Sequence, residues 1–212
     1  MGAACRFASA SWPFAPPFIF EMKKRLLIAL TGSIGSGKSA AGRIFASLGA
    51  RVLDSDKLSK KVLFEDSDAQ AQIRGLLGDS CFDGGAPVPG KIADAVFADK
   101  EKLSALERII HPRVEKLWRK QSEGAEVCVV EIPLLFEKNL EKGFDICLAV
   151  FCSEGVRVQR LLQRGLSVRE IGRRTAAQLP QSEKVARAQT AFFNEGSADF
   201  LKEQIELFLA RL

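Results

Sequence analysis

The sequence has a single histidine, His111, which leaves little room for a histidine-based metal centre. Its five cysteines, Cys5, Cys81, Cys128, Cys147 and Cys152, are odd in number and form no CxxC pair. That pattern speaks against a disulfide frame and against a zinc site, and the thiols read as buried groups of a reducing, cytoplasmic compartment. No apolar run approaches the roughly 20 residues a spanning helix needs, so no membrane association is expected. A cationic start with an unbroken apolar stretch is missing too, as are internal repeats and low-complexity tracts, so neither a signal peptide nor a repeat architecture is expected.

What is present fits one globular core with inserted flaps: 212 residues, 47% hydrophobic and 27% charged. The net charge of +5 is unevenly spread, because residues 154–189 carry eight Lys/Arg against three Glu. Such a cluster suits a polyanion, either a nucleoside triphosphate or a nucleic-acid backbone, and it equally suits a solvated helix face. Residues 1–21 differ from the rest, with Pro13, Pro16 and Pro17 among aromatic and small residues. Met22 is followed by Lys23-Lys24-Arg25 and then by a strand pattern. Residues 1–21 therefore read as a dispensable extension or mis-assigned start, and 22–212 as one domain.

Continuous apolar strands alternate with helical patterns along the chain. Strands are expected at residues 26–30, 51–53, 127–132 and 146–151, with a weaker fifth at 191–193; such runs indicate a parallel sheet covered on both faces. Between the second and third strands lie about 70 residues of mostly helical pattern, broken by Gly84-Gly85-Ala86-Pro87-Val88-Pro89-Gly90 and by Pro112, which is expected to interrupt its helix. This segment, about 57–122, reads as a helical flap. A second, arginine-rich flap is expected at about 154–190, with Ser167 and Glu170 forming a capping box.

Residues 32–39 read Gly-Ser-Ile-Gly-Ser-Gly-Lys-Ser, which satisfies GxxxxGK[ST] directly after a buried strand and at the head of a helix. Glycines let successive backbone N–H groups converge on phosphate oxygens, and the helix N-terminus adds partial positive charge. Gly35, Ser36, Gly37 and the amides of Lys38, Ser39 and Ala40 form the expected cradle. Lys38 should reach the β/γ-phosphates of ATP and the Ser39 hydroxyl should ligate Mg²⁺. Chance would produce this pattern in roughly one chain in a hundred of this length, so nucleoside triphosphate binding is the reading that stands.

The class of nucleotide enzyme follows from what accompanies the loop. The Asn-Lys-x-Asp signature of guanine readers is absent. A nucleic-acid-dependent ATPase would want aromatic stacking residues among its arginines, and none lies between Arg157 and Arg187. Two flaps around a small core instead fit a kinase that closes over two ligands to exclude water. Asp54 and Asp56, taken as closing the second strand with both side chains on one side, supply candidate carboxylates where open parallel sheets bind ligands. Asp56 reads either as the base or as a helix cap. His111 reads either as a structural hydrogen-bonding group or as a ligand contact. Glu137 is either a helix N-terminal charge or a substrate contact. Arg160 and Arg164, one helical turn apart, can point together into a cleft or lie on the surface.

In content and order, ALTGSIGSGKS at 29–39, Asp54-Ser55-Asp56, His111-Pro112-Arg113-Val114 and Ile132-Pro133-Leu134-Leu135-Phe136-Glu137 resemble the dephospho-CoA kinase family. Arg160 and Arg164, Ala177-Gln178 and Asn194-Glu195-Gly196 extend the resemblance over about residues 25–200. It implies a P-loop kinase-like α/β/α fold with a roughly five-stranded parallel sheet, a helical acceptor flap and an arginine-rich lid. It implies ATP with Mg²⁺ as donor, dephospho-CoA as acceptor, no nucleic-acid partner, and a monomer or weak homo-oligomer. By the same resemblance Lys38, Asp56, Arg160 and Arg164 carry the chemistry, and Asn194 lies on the adenine side. Asp54, Asp56, Lys91, His111, Pro133, Leu134 and Glu137 would face the acceptor. This sequence departs from the family pattern at Ala40 (often Thr), Lys91 (often Arg) and Phe193 (more usually Asp).

Overall fold

A computed structural model describes residues 25–97 and 99–212. The expectations for Cys5, residues 1–21 and the Met22 start lie outside the described residues. Five parallel strands form the central sheet: β1 (Leu26–Thr31), β2 (Arg51–Asp54), β5 (Val127–Glu131), β6 (Ile146–Phe151) and β7 (Thr190–Phe193), in the order β2-β5-β1-β6-β7. The register sets Leu30 opposite Glu131 and Asp54 opposite Glu131, so three strands end side by side at their carboxyl ends.

Alternation along the strands divides their side chains between two cores. Leu27, Ala29, Cys128 and Val130 face Leu58, Val62, Val114 and Trp118. On the other face Ile28, Leu30, Val129, Leu148 and Val150 meet Phe45, Phe192, Leu201 and Ile205. The helices behind these contacts are α2 (Ser55–Glu65) and α5 (Lys100–Gln121) on the first face, and α1 (Lys38–Ser47) and α9 (Ala198–Leu209) on the second. A sheet covered on both sides is what unbroken runs such as LLIALT and ICLAVF require. Cys81, Cys128, Cys147 and Cys152 are buried free thiols, as their apolar settings suggested. Among the described residues no helix is long and apolar enough to cross a membrane.

The insertion between β2 and β5 has its own small core of Ile73, Cys81, Phe82 and Ile92. It comprises α2, α3 (Ser67–Leu77), a hairpin of β3 (Phe82–Asp83) and β4 (Ala86–Pro87), α4 (Pro89–Phe97) and α5. The turn-rich stretch thus makes a hairpin, with Pro89 at the first position of a helix, where its missing N–H has no intrahelical partner to lose.

Two local expectations are corrected. Pro112 does not break its helix: α5 runs through it, and the Arg113 guanidinium donates to the Ile109 carbonyl at 2.8 Å. Packing of α2, α3 and α4 along α5 outweighs the cost of the missing hydrogen bond, about 3 kcal/mol. Nor do Asp54 and Asp56 share a strand face. β2 ends at Asp54, whose carboxylate caps α2 by accepting from the amides of Asp56 at 2.9 Å and Lys57 at 3.1 Å, so Asp56 sits in the first helical turn.

After β6 come α6 (Glu154–Gln163), α7 (Val168–Ala176) and α8 (Gln181–Arg187). The expected capping box opens α7: the Ser167 hydroxyl accepts from the Glu170 amide, and the Glu170 carboxylate accepts from the Ser167 amide at 2.9 Å. Those bonds hold the Glu170 carboxyl below the usual carboxylate range.

Candidate active site

A cavity of about 710 Å³ opens at the carboxyl ends of β1, β2 and β5, where an open parallel sheet leaves a crevice. Its walls come from the glycine-rich loop, the starts of α1 and α2, the middle of α5, residues 131–134, and Arg164, Arg174 and Gln178 of the arginine-rich segment.

The loop runs from Thr31, the last residue of β1, to Lys38, the first of α1. Gly37 adopts φ 101°, and the Asn194 side-chain amide fills the space a Cβ would take, so any side chain there would both strain the backbone and collide. That amide donates to the Ser36 carbonyl at 2.8 Å, and Arg160 reaches the same oxygen at 3.5 Å. Asn194 and Arg160 therefore brace the back of the loop and do not line the cavity. Lys38 lines it, with its ammonium donating to the Gly32 carbonyl at 2.7 Å. Burial and then the nearby Lys184 push the Lys38 amine down to about 8, against the opposing pull of Glu131, Asp56 and Glu137. A cation so placed gains from any anion that arrives.

Facing it is an acidic wall of Asp54, Asp56 and Glu131. The Asp56 carboxyl is pushed up by desolvation and then by the Asp54 charge, with Lys38 and Lys60 pulling the other way. Glu131 closes β5 and accepts from the Ser39 hydroxyl at 3.1 Å. Its carboxylate occupies the space above Gly42 of α1, where even a methyl group would displace it. Burial raises the Glu131 pKa, with Asp54 adding to the effect and the Ser39 hydrogen bond opposing it. Ser39 and Glu131 are oxygen donors of the kind a hard divalent cation such as Mg²⁺ takes, and among the described residues no three His, Cys, Asp or Glu side chains are gathered to hold a metal ion by themselves.

Comparison with known proteins decides the family. The sequence profile of the family described as CoaE, dephospho-CoA kinase, matches residues 26–199. The curated dephospho-CoA kinase of Chlorobaculum tepidum is 35% identical over 199 residues, covering 87% of this chain and 95% of the relative. The chain belongs to the dephospho-CoA kinase family. Among solved structures, TT1252 from Thermus thermophilus superimposes with a TM-score of 0.80 at 35% identity, over 90% of this chain and 99% of that one. Shikimate kinase from Acinetobacter baumannii, in complex with shikimate, has a TM-score of 0.50 at 16% identity over 88% and 94% of the two chains, a likeness of fold alone. The α/β class with a five-stranded parallel sheet and P-loop kinase-like neighbours is thus the fold expected from sequence.

The remaining wall of the cavity is the one where contacts to the acceptor were expected. His111, Pro133 and Leu134 line it, beside Lys138, which pairs with Glu107 at 2.5 Å. Burial, opposed by Glu107 and helped by Lys138, pushes the His111 pKa below its ordinary value. Two residues expected on this side are not gathered there. Lys91 is exposed on α4, away from the cavity. Glu137 turns away, because residues 133–139 form successive turns rather than a helix and its carboxylate is captured by the buried Lys184 at 2.6 Å. Arg164 does line the cavity. Sequence reasoning passed over Glu131 and Arg174. The first was signalled by a carboxylate closing an apolar strand, the second by its place one helical turn before Gln178.

Proposed function

We propose that this chain transfers the γ-phosphoryl group of ATP to the ribose 3′-hydroxyl of dephospho-CoA, giving CoA and ADP, the last step of coenzyme A biosynthesis. The observation that carries this reading is one cavity with a phosphate-binding loop and Lys38 on one wall and a raised-pKa carboxyl, Asp56, on another. Transfer is direct: the acceptor oxygen bonds to phosphorus, the bond from phosphorus to the β-γ bridging oxygen breaks, and ADP leaves with that oxygen. Asp56 accepts the hydroxyl proton or orients it, and a pKa moved toward neutrality suits that task. Lys38 leaves its loop carbonyls for the β/γ-phosphates. Ser39 and Glu131, with Asp54 beyond, would hold Mg²⁺, which when bound neutralises charge on the phosphates.

The helices of residues 55–121 serve as the acceptor flap, contributing His111, while 154–187 form a lid whose Arg164 and Arg174 meet the charge that redistributes during transfer. Arg160 and Asn194 act on the nucleotide through the loop they brace. Closure of the lid excludes water and so suppresses ATP hydrolysis. A coupled ADP-release assay with dephospho-CoA, followed by location of the new phosphate, tests this. Release dependent on dephospho-CoA with phosphate at the 3′ position is expected; no reaction, or phosphate elsewhere, overturns it.

A further inference from the structure

One buried polar node lies just behind the cavity and takes no part in the chemistry above. Lys184, the only buried residue of α8, has a side chain with no exposure at all. Its ammonium lies 2.6 Å from the Glu137 carboxylate and donates to the Pro133 carbonyl at 2.7 Å. The same Glu137 oxygen accepts from the Leu179 amide at 2.8 Å. The Pro133 carbonyl also accepts from the hydroxyl of Thr31, the last residue of the strand that feeds the phosphate loop, at 3.3 Å. Gln178, next to Leu179, accepts from the Ile34 amide of that loop at 2.8 Å. Three segments thus meet here: the phosphate loop, the 133–137 turns, and the link between α7 and α8.

Pro133, Leu134, Ile34 and Gln178 line the cavity, whereas Lys184 and Glu137 do not. Two apolar residues could fill the same space with no charge to desolvate, so stability alone does not call for an ion pair here. What the pair adds is directed: a donor fixed on a carbonyl of one segment and an acceptor fixed on an amide of another. We propose that Lys184 and Glu137 are positioning residues for phosphoryl transfer, their buried ion pair locking the Pro133–Leu134 wall and the root of the arginine-rich segment in register with the phosphate loop. This rests on the phosphoryl-transfer reading and adds to it residues that touch neither substrate.

The test is the double variant Lys184→Met/Glu137→Gln, which removes both charges and leaves no buried ion unpaired, beside Lys184→Gln, which keeps a donor in the same pocket. Steady-state kinetics with ATP and dephospho-CoA are measured together with chemical denaturation of each variant. Loss of register predicts kcat down by about tenfold to a hundredfold, with the ATP KM within about threefold of wild type because the cradle amides are untouched. A wild-type kcat in either folded variant overturns the proposal. So does failure of both variants to fold, which would make the pair an element of folding only. Wild-type protein that leaves dephospho-CoA unchanged refutes the assigned function instead, whereas the proposal fails only on variants compared with an active wild type.

Discussion

Two covers close over the same cavity, and they are attached to the molecule by different physics. The insertion after β2 is anchored by apolar packing: Leu58, Val62, Ala69, Val114 and Trp118 join the sheet core, and Ile73, Cys81, Phe82 and Ile92 form a second core within it. The arginine-rich segment buries little that is apolar. Its buried residues are Arg157 and Leu161 in α6, Ile171 in α7 and Lys184 in α8. Polar ties hold it: Arg157 to Thr175 at 3.0 Å, Gln178 to the Ile34 amide, and Lys184 to Glu137. A wall built from core cannot move without exposing apolar surface, whereas one held by a few hydrogen bonds opens at low cost. The insertion is therefore the fixed side of the cavity, and α6 and α7, beyond the root held by Lys184, are the side that can move.

The largest effect calibrates both. Lys38→Ala removes the cation on the cavity floor and is expected to lower kcat/KM by about a thousandfold or more, in keeping with the loss of an oriented transition-state contact; steady-state kinetics will show it, and a change under tenfold would remove Lys38 from the chemistry. Next is the fixed wall. Ile73 is fully buried in the insertion core and does not line the cavity. Truncating it (Ile73→Ala) should cost about 2–5 kcal/mol of stability, read by chemical denaturation, while kcat well below the melting range stays within a fewfold. The mobile side should behave in the opposite way. Arg174→Ala is expected to leave stability within about 0.5 kcal/mol and to lower kcat by about tenfold or more. Equal stability losses for Ile73→Ala and Arg174→Ala would abolish the contrast.

The smallest effect concerns protons. Burial and then Lys184 push the Lys38 amine down to about 8, and a bound triphosphate raises that value by favouring the charged form. Binding of ATP near pH 8.5 should therefore take up a fraction of a proton at this residue, with almost none at pH 6.5, where the amine is already charged. Calorimetry in buffers of different ionisation enthalpy measures this, and the uptake should vanish in Lys38→Met.

Legibility followed the range of the interactions. The phosphate loop, the strands and the Ser167/Glu170 capping box could be read directly, since each depends on residues within one element or its immediate neighbours. Asp56 was misplaced by one structural step: strand alternation was carried past Asp54, where the backbone had already turned into a helix capped by that same aspartate. Pro112 misled because proline's local penalty is smaller than the packing gained along α5. Glu131 went unnoticed because a carboxylate ending a strand has no motif of its own; only the parallel register beside β1 puts it against Ser39.

Local sequence alone determined the anion cradle, the helix that follows it and the apolar strands, because glycine spacing, capping groups and hydrophobic runs act through bonds and neighbours a few residues apart. Only the tertiary structure decided that Asn194 and Arg160 stand behind the loop, that Glu137 pairs with Lys184, and that Arg174 reaches the cavity. Those partners are far apart along the chain, 158 residues for Asn194 and Ser36 and 42 for Glu137 and Leu179. Whether a charged side chain meets a ligand or a buried counter-charge is settled by which segments the closed core brings together.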